Sequence, residues 1–274
     1  MLTDLHVHLR PDDPGTDAER YFTAANAERY LAAADQAGIA ELGIAEHVYR
    51  FTAALDIWRH PLWESSAVDD LDAYADFVRQ AGLRLGIEAD FVPGREDQIA
   101  NLLDRLEPDY VIGSVHFLGE RAVDQPGFDI WEGSPSPDFV WRRYFETLAE
   151  AARSGLFDVL AHPDLVKVWG RARPAPERDR RFFYEPAVEA VAETGVAVEV
   201  STAGLRKPAG ELYPSDELAE MLVDAGAVFS LSSDAHRPEE VGYEYSRALE
   251  AMAGWGVTEV AVFEHRERCL ESLG

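Results

Sequence analysis

The sequence predicts an α/β barrel, because short apolar segments of strand length alternate with amphipathic helical segments along almost the whole chain. A glycine follows five of the predicted helices, where a helix commonly ends in the left-handed conformation. Repeated β-then-α units indicate a parallel sheet, and seven or eight of them in about 250 residues favour a closed barrel. We expect one domain over residues 1–274.

Each element is predicted from its own periodicity. The strands are apolar runs bounded by turn residues. They are predicted at 2–8, 41–46, 83–91, 110–116, 157–162, 196–201, 227–233 and 258–263. The helices have apolar residues at helical spacing. They are predicted at 27–37, 69–81, 96–106, 139–154, 185–194, 215–225 and 238–254. The long loops 50–68, 119–137 and 169–181 each follow a strand, so we expect them to cover the carboxyl ends of the strands.

The composition excludes several classes of protein. With 51 acidic and 25 basic residues the net charge is −26, which would repel nucleic acid. No apolar run is long enough to cross a membrane. The N-terminal residues lack the order of a secretory signal, and the one cysteine, Cys269, excludes an intramolecular disulfide. We therefore expect a cytoplasmic protein with a small-molecule substrate and neither nucleic-acid nor membrane partners.

Six of the eight histidines lie at the carboxyl ends of predicted strands, where Glu88 and Asp234 also lie. A lone buried histidine is more often a hydrogen-bonded core residue, but six at strand ends by chance is implausible. A barrel brings these ends together on one face. Imidazole and carboxylate ligands suit zinc, manganese or iron, so we predict two or three divalent ions, with Glu88 bridging a pair. The predicted ligands are His6, His8, His47, Glu88, His116, His162, Asp234 and His236.

The two lysines, Lys167 and Lys207, each follow a predicted strand end. In a chain that otherwise uses arginine, this placement suggests phosphate contacts, which Arg206 would join, although two ordinary surface positions would look the same. His60 lies in a loop of the same face and is a candidate for substrate contact, against the alternative that it only packs there. Multi-metal sites with phosphate-binding cations are typical of hydrolases that act on phosphoesters.

Taken in order, the site motifs resemble those of the polymerase and histidinol phosphatase (PHP) family. The motifs are His6-Val7-His8, Glu46-His47, Gly86-Ile87-Glu88-Ala89-Asp90, Gly113-Ser114-Val115-His116, His162-Pro163-Asp164 and Ser233-Asp234-Ala235-His236. The strings at 201–208 and 234–242 look like the histidinol-phosphatase branch. The resemblance implies a distorted (β/α)7 barrel resembling the TIM barrel, with the metal site at the carboxyl ends of the strands and the last predicted strand outside it.

The resemblance also implies how the ligands are shared. His6, His8, Glu88 and Asp234 would hold the first ion, Glu88, His116 and His162 the second, and His47 and His236 the third. Two features depart from the family pattern. No further histidine follows closely after His8, so Asp12, Asp13 or Asp17 could replace it. Glu46 stands where the family usually has aspartate.

These observations predict a metal-dependent phosphomonoesterase that hydrolyses L-histidinol phosphate in histidine biosynthesis. Water activated by the ions would attack the phosphorus, with Glu88, Asp234 and His236 as the catalytic residues. Asp234 or His236 could protonate the leaving alkoxide, and the sequence does not decide between them. Two alternatives stay open: a phosphoesterase with another monoester or diester substrate, and a metal-binding module without activity.

Overall fold

The computed structural model describes residues 1–11 and 18–273, and eleven strands lie in this part of the chain. They are β1 (Thr3–Val7), β2 (Glu41–Ile44), β3 (Arg84–Asp90), β4 (Tyr110–Ser114), β5 (Phe117–Leu118), β6 (Arg121–Ala122), β7 (Val159–Leu160), β8 (Ala197–Ser201), β9 (Phe229–Ser232), β10 (Glu259–Glu264) and β11 (Glu267–Ser272). Seven of them form one parallel sheet in the order β1-β2-β3-β4-β7-β8-β9. All eight predicted strands are present.

The two edges of this sheet meet just beyond β9. A parallel bridge joins Val7 to Ala235. The His8 amide donates to the Ala235 carbonyl at 2.8 Å, and the Ala235 amide donates to the His6 carbonyl at 3.3 Å. These bonds close the sheet into a distorted seven-stranded barrel, which confirms the predicted fold class.

Helices cover the outside of the barrel and follow the predicted periodicity. They are α1 (Ala18–Tyr21), α2 (Ala24–Gln36), α3 (Pro61–Ser66), α4 (Leu71–Gln80), α5 (Glu96–Leu106), α6 (Pro137–Arg153), α7 (Arg181–Thr194), α8 (Asp216–Asp224) and α9 (Tyr245–Gly254). Local signals set their ends. The Asp70 carboxylate caps α4 by accepting from the Ala73 amide at 2.8 Å, and Gly195 ends α7 at φ 70°. None of the described helices combines the length and apolarity needed to cross a membrane.

Two predicted segments differ from the structure. The helix predicted over 238–254 is divided into a 3-10 turn, Pro238–Glu240, and α9. Gly242 stands between them at φ 64°, and its amide donates to the Asp4 carboxylate at 3.1 Å. The loop predicted over 50–68 contains α3 and the 3-10 helix Thr52–Asp56.

The last predicted strand lies outside the barrel. It is β10, which pairs antiparallel with β11 in a separate two-stranded sheet. The resemblance implied this peripheral position, and the structure confirms it.

Large rings fill the interior of the barrel below its mouth, and glycines on the strands make room for them. Tyr110 is fully buried, and its hydroxyl donates to the Leu5 carbonyl at 2.5 Å. A Cβ atom added at Gly86 would lie 2.3 Å from Cζ of Tyr110, and one added at Gly113 would lie 2.2 Å from Cγ of Phe157. The glycines are therefore needed for packing, since neither of them has a positive φ.

We expect Gly86→Ala to lower the free energy of unfolding by about 1–3 kcal/mol, because the added methyl group overpacks the barrel interior. Gly254→Ala is the matched control: no atom lies within 4 Å of its added Cβ, and alanine favours a helix. Urea denaturation monitored by circular dichroism measures both. Equal unfolding free energies for the two variants would contradict this account of the packing.

Candidate metal centre

The structure brings all eight predicted ligands together at the mouth of the barrel. They form three clusters in which the ligand atoms lie within 4.8 Å of one another. One cluster is His6, His8 and Asp234, the second is Glu88, His116 and His162, and the third is His8, His47 and His236. Each residue lies on a strand or just after one, so the closure of the barrel creates the site.

The Glu88 carboxylate lies between two groups of imidazoles. Its Oε1 faces Nε2 of His116 at 3.4 Å and Nε2 of His162 at 3.1 Å. Its Oε2 faces the other group, His6 at 3.4 Å, His8 at 3.6 Å and His47. Because its two oxygens face different clusters, Glu88 has the position that a bridging ligand needs.

The third cluster contains a ligand that the sequence analysis did not assign to it. The Nε2 atoms of His236 and His47 lie 3.4 Å apart, and the His8 ring stacks on the His236 ring with centroids 4.2 Å apart. His8 therefore offers a third nitrogen where the family pattern has a further histidine. Asp12, Asp13 and Asp17, proposed for that role, lie outside the described residues.

Several buried polar atoms of the centre have no hydrogen-bond partner among residues 1–11 and 18–273. They include Nε2 of His6, Nε2 of His8, Oε2 of Glu88 and Oδ1 of Asp234. Buried polar atoms are nearly always hydrogen-bonded, and nitrogen and carboxylate donors suit divalent ions. The residues present therefore fit metal ions.

Burial and neighbouring charges shift the pKa values of the centre in opposite directions. Burial opposes ionisation of Glu88, but His47, His6 and His116 hold its pKa well below the usual range. Burial also opposes protonation of His116, yet Asp90 and Glu88 raise its pKa to about 10. For His47, burial dominates and lowers the pKa to about 3. Metal ions bind neutral imidazole, so loading the site releases protons from the imidazoles that carry them.

Two acidic residues that the sequence analysis did not assign hold the ligands in place. The Glu199 carboxylate accepts from Nδ1 of His6 and from the His162 amide, both at 2.7 Å. The Asp90 carboxylate lies 2.8 Å from Nδ1 of His116. These contacts direct the Nε2 atoms toward the centre. Both residues carried a signal, since Glu199 is the charged residue of an apolar strand and Asp90 lies on the same face as Glu88.

Glu46 acts on the chain that follows His8. Its Oε1 accepts from the amides of Leu9 and Arg10 at 2.7 and 3.0 Å, and its Oε2 accepts from Arg50 at 2.5 Å. Its Oε2 lies 3.8 Å from Nδ1 of His8. The longer side chain, compared with the family's aspartate, thus orients a ligand segment.

Two ligand positions have a backbone conformation that side chains rarely adopt. His162 has φ 23° and Asp234 has φ 51°. Such strain persists only where the surroundings hold it. Glu199 holds the His162 amide, and the Arg206 guanidinium donates to the Asp234 and Ser233 carbonyls at 2.9 and 3.0 Å.

Only some of the residues predicted to contact phosphate or substrate line the cavity above the metal ligands. A cavity of about 670 Å³ opens above the ligands, and Lys207 lines it. Arg206 is instead bonded to the backbone beside Asp234. Lys167 lines a separate cavity, with Nζ 2.8 Å from Asp164 Oδ2 and 2.7 Å from the Leu212 carbonyl. His60 caps α3 through Nδ1 and packs against the Trp58 ring, with the two rings tilted by 30°.

Asp124 lines the same cavity and was missed by the sequence analysis. Its Oδ1 is buried, and none of the residues that the structure describes forms a hydrogen bond with it. Burial raises the pKa of Asp124, although His116, His162 and Lys207 oppose this. The residue lies in a loop, and a loop aspartate has no signal in the sequence that separates it from its many acidic neighbours.

The chain is similar in sequence to known proteins over most of its length. The PHP domain family model matches residues 20–203. A Deinococcus radiodurans protein named probable histidinol-phosphatase is 33% identical, over 97% of this chain and 98% of that protein. The histidinol-phosphatase of Bacillus subtilis is 28% identical, over 64% of this chain and 71% of that protein.

A solved structure has the same fold. The histidinol phosphate phosphatase from Lactococcus lactis, complexed with zinc, L-histidinol and phosphate, superposes with a TM-score of 0.75 at 18% identity. The superposition covers 98% of this chain and 100% of that one.

We expect Glu88→Gln to lose bound metal and turnover together, because the amide removes the buried negative charge that faces both groups of imidazoles. Metal content by inductively coupled plasma mass spectrometry measures the loss, and circular dichroism checks that the fold is kept. Glu250→Gln, on the exposed surface of α9, is the control. Full metal content with unchanged turnover in Glu88→Gln would exclude the bridging role.

Proposed function

Since this chain belongs to the PHP-domain family, we propose that it is a metal-dependent phosphatase that hydrolyses L-histidinol phosphate to L-histidinol and phosphate. The observation that carries the proposal is the set of three ligand clusters around Glu88 at the mouth of the barrel. Similarity along nearly the full chain to a protein named probable histidinol-phosphatase supports the substrate. This activity would serve histidine biosynthesis, and the cytoplasmic location stays a prediction.

The clusters support two or three divalent ions, and we propose zinc, manganese or iron. His6, His8 and Asp234 would hold one ion together with Glu88. His116 and His162 would hold the second, with Glu88 as the bridge. The third would lie between His47 and His236 and share His8. The zinc in the Lactococcus lactis structure supports zinc as the first metal to test.

The chemistry divides between the ions and the side chains of the cavity. Divalent ions supply an activated water and neutralise the charge that develops on the phosphoryl oxygens. The exposed Lys207 ammonium lines the cavity and would bind a phosphoryl oxygen as a point charge. Arg206 would act indirectly, because its bonds to the Ser233 and Asp234 carbonyls position the ligand Asp234.

The leaving alkoxide needs a proton, and the cavity offers few donors. Burial opposes ionisation of Asp234, but His6, His8 and His236 hold its pKa well below the usual range, so it is a poor acid. His236 faces His47 within the third cluster. Asp124 lines the cavity outside the clusters, and burial raises its pKa, so we assign the general acid to Asp124.

Asp124→Asn tests this assignment through the leaving group. We expect turnover of L-histidinol phosphate to fall by about 100-fold or more, because its alkoxide leaves poorly without a proton. Turnover of 4-nitrophenyl phosphate should change little, since its phenolate leaves unprotonated. Steady-state kinetics of both substrates at equal metal content measures the contrast. An equal loss with both substrates would assign Asp124 a structural role.

The substrate itself is tested by phosphate release from L-histidinol phosphate. We expect activity in the metal-loaded protein, its loss on chelation, and recovery with zinc, manganese or iron(II). Sugar phosphates, nucleotides and a phosphodiester, measured beside it, should be poor substrates. Activity on these alone would favour another phosphoesterase. Bound metal without any turnover would favour a metal-binding module, and either result would overturn the proposal.

A further inference from the structure

A second cavity, of about 690 Å³, lies beside the catalytic one and is rich in positive charge. It is lined by the basic residues Lys167, Arg171, Arg173 and Arg180, together with Glu211 and the rings of Trp131 and Trp141. The chain has 25 basic residues and a net charge of −26. Four of these basic residues lie around one cavity, whose lining contains one acidic residue, Glu211.

Two of these cations have no acidic partner in the part of the chain that the structure describes. Lys167 is paired with Asp164 and Glu211, and Arg173 is paired with Asp129. Arg171 and Arg180 form no such ion pair among the described residues. Their charges are therefore available to a ligand.

The cavity wall also holds buried donors without acceptors. Trp131 is 9% exposed, and its Nε1 has no hydrogen-bond partner within the described part of the chain. Nε of Arg173 is likewise buried, and no described residue accepts a hydrogen bond from it. An unpaired buried N–H group is costly, so both donors indicate a missing acceptor. The Arg180 guanidinium lies 5.3 Å from the Trp141 ring centroid and covers this buried ring at the cavity wall.

A single turn of chain separates the second cavity from the catalytic one. Leu165 and Val168 line the catalytic cavity, whereas Val166 and Arg171 line the second one. The unpaired arginines belong to the second cavity, so the two sites can be distinguished by substitution.

We infer that the second cavity binds a small organic anion, in which a carboxylate or phosphate group is carried on a planar ring. Guanidinium groups bind both headgroups in the same forked geometry, so Arg171 and Arg180 would hold the oxygens. The N–H groups of Trp131 and Arg173 would donate to the same anion. Trp131 and the exposed Pro174 line the cavity and would pack against the ring of the ligand. This inference does not depend on the proposed phosphatase activity.

Isothermal titration calorimetry of the metal-loaded protein tests the site with benzoate and phenylphosphonate as probes. Benzyl alcohol, which has the ring without the charge, is the control ligand. The variant is Arg171→Gln with Arg180→Gln. The control variant is Arg247→Gln, an exposed arginine of α9 outside both cavities.

We expect at least one acidic probe to bind with its affinity lowered about tenfold or more in the double variant and unchanged in Arg247→Gln. The probe that loses more affinity identifies the preferred headgroup. Any phenylphosphonate that binds at the metal ions should keep its affinity in the double variant. Only affinity that is lost in the double variant is therefore assigned to the second cavity. Equal affinity in the double variant, equal binding of benzyl alcohol, or no binding of either acid would overturn the inference.

Discussion

The buried Glu88 carboxylate is the constraint on which the mouth of the barrel depends. An anion without compensation at this depth would cost several kcal/mol. Its oxygens face imidazoles that come from the ends of four different strands, β1, β2, β4 and β7. The compensation therefore exists only once the strands have assembled in the order of the barrel. Folding and the formation of the metal centre are the same event for these side chains.

A second set of residues, Glu199 and Arg206, fixes the geometry of the metal ligands. Glu199 joins β8 to β1 and to the turn after β7 through its bonds to His6 and His162. Arg206 holds the carbonyls beside Asp234, where the backbone has φ 51°. The strained ligand positions are thus fixed by hydrogen bonds before any ion binds. Ligands held this way need little rearrangement on binding, which favours metal affinity.

The fold was predictable because strands buried in a parallel barrel appear in the sequence as apolar runs between amphipathic helices. The predicted helix over 238–254 was wrong over its first seven residues for a physical reason. Gly242 is held at φ 64° by the Asp4 carboxylate at the start of the chain, and local periodicity contains no information on such a distant bond. Likewise the positions of the eight strands were predictable, whereas β5, β6 and β11 were not. β5 and β6 have two residues each, and β11 is mostly exposed, so it lacks an apolar run.

Site residues were predictable where their position on a strand sets the direction of the side chain. They were not predictable where a loop sets that direction. Strand ends point at the mouth, so the eight ligand candidates lie there together. Lys167 also follows a strand, but the 3-10 turn Leu165–Lys167 directs its ammonium to Asp164 and away from the ligands. His60 points both ring nitrogens at backbone atoms of its surroundings. Only the folded loops determine these directions.

The charge of the chain gives a further reason for metal dependence, apart from the chemistry of bond cleavage. Long-range repulsion from a net charge of −26 is screened beyond about 8 Å in physiological salt, so the local charge decides whether a phosphate enters. At the mouth the ionised groups include Glu88 and Asp234, whose pKa values lie well below the usual range. The Lys207 ammonium offsets this negative charge only weakly, since it is exposed to solvent. Before metal binds, protonated imidazoles such as His116, whose pKa is about 10, offset part of this negative charge. Divalent ions would add more positive charge than the imidazole protons that they displace, so the same ions that would activate water would also favour binding of the anionic substrate.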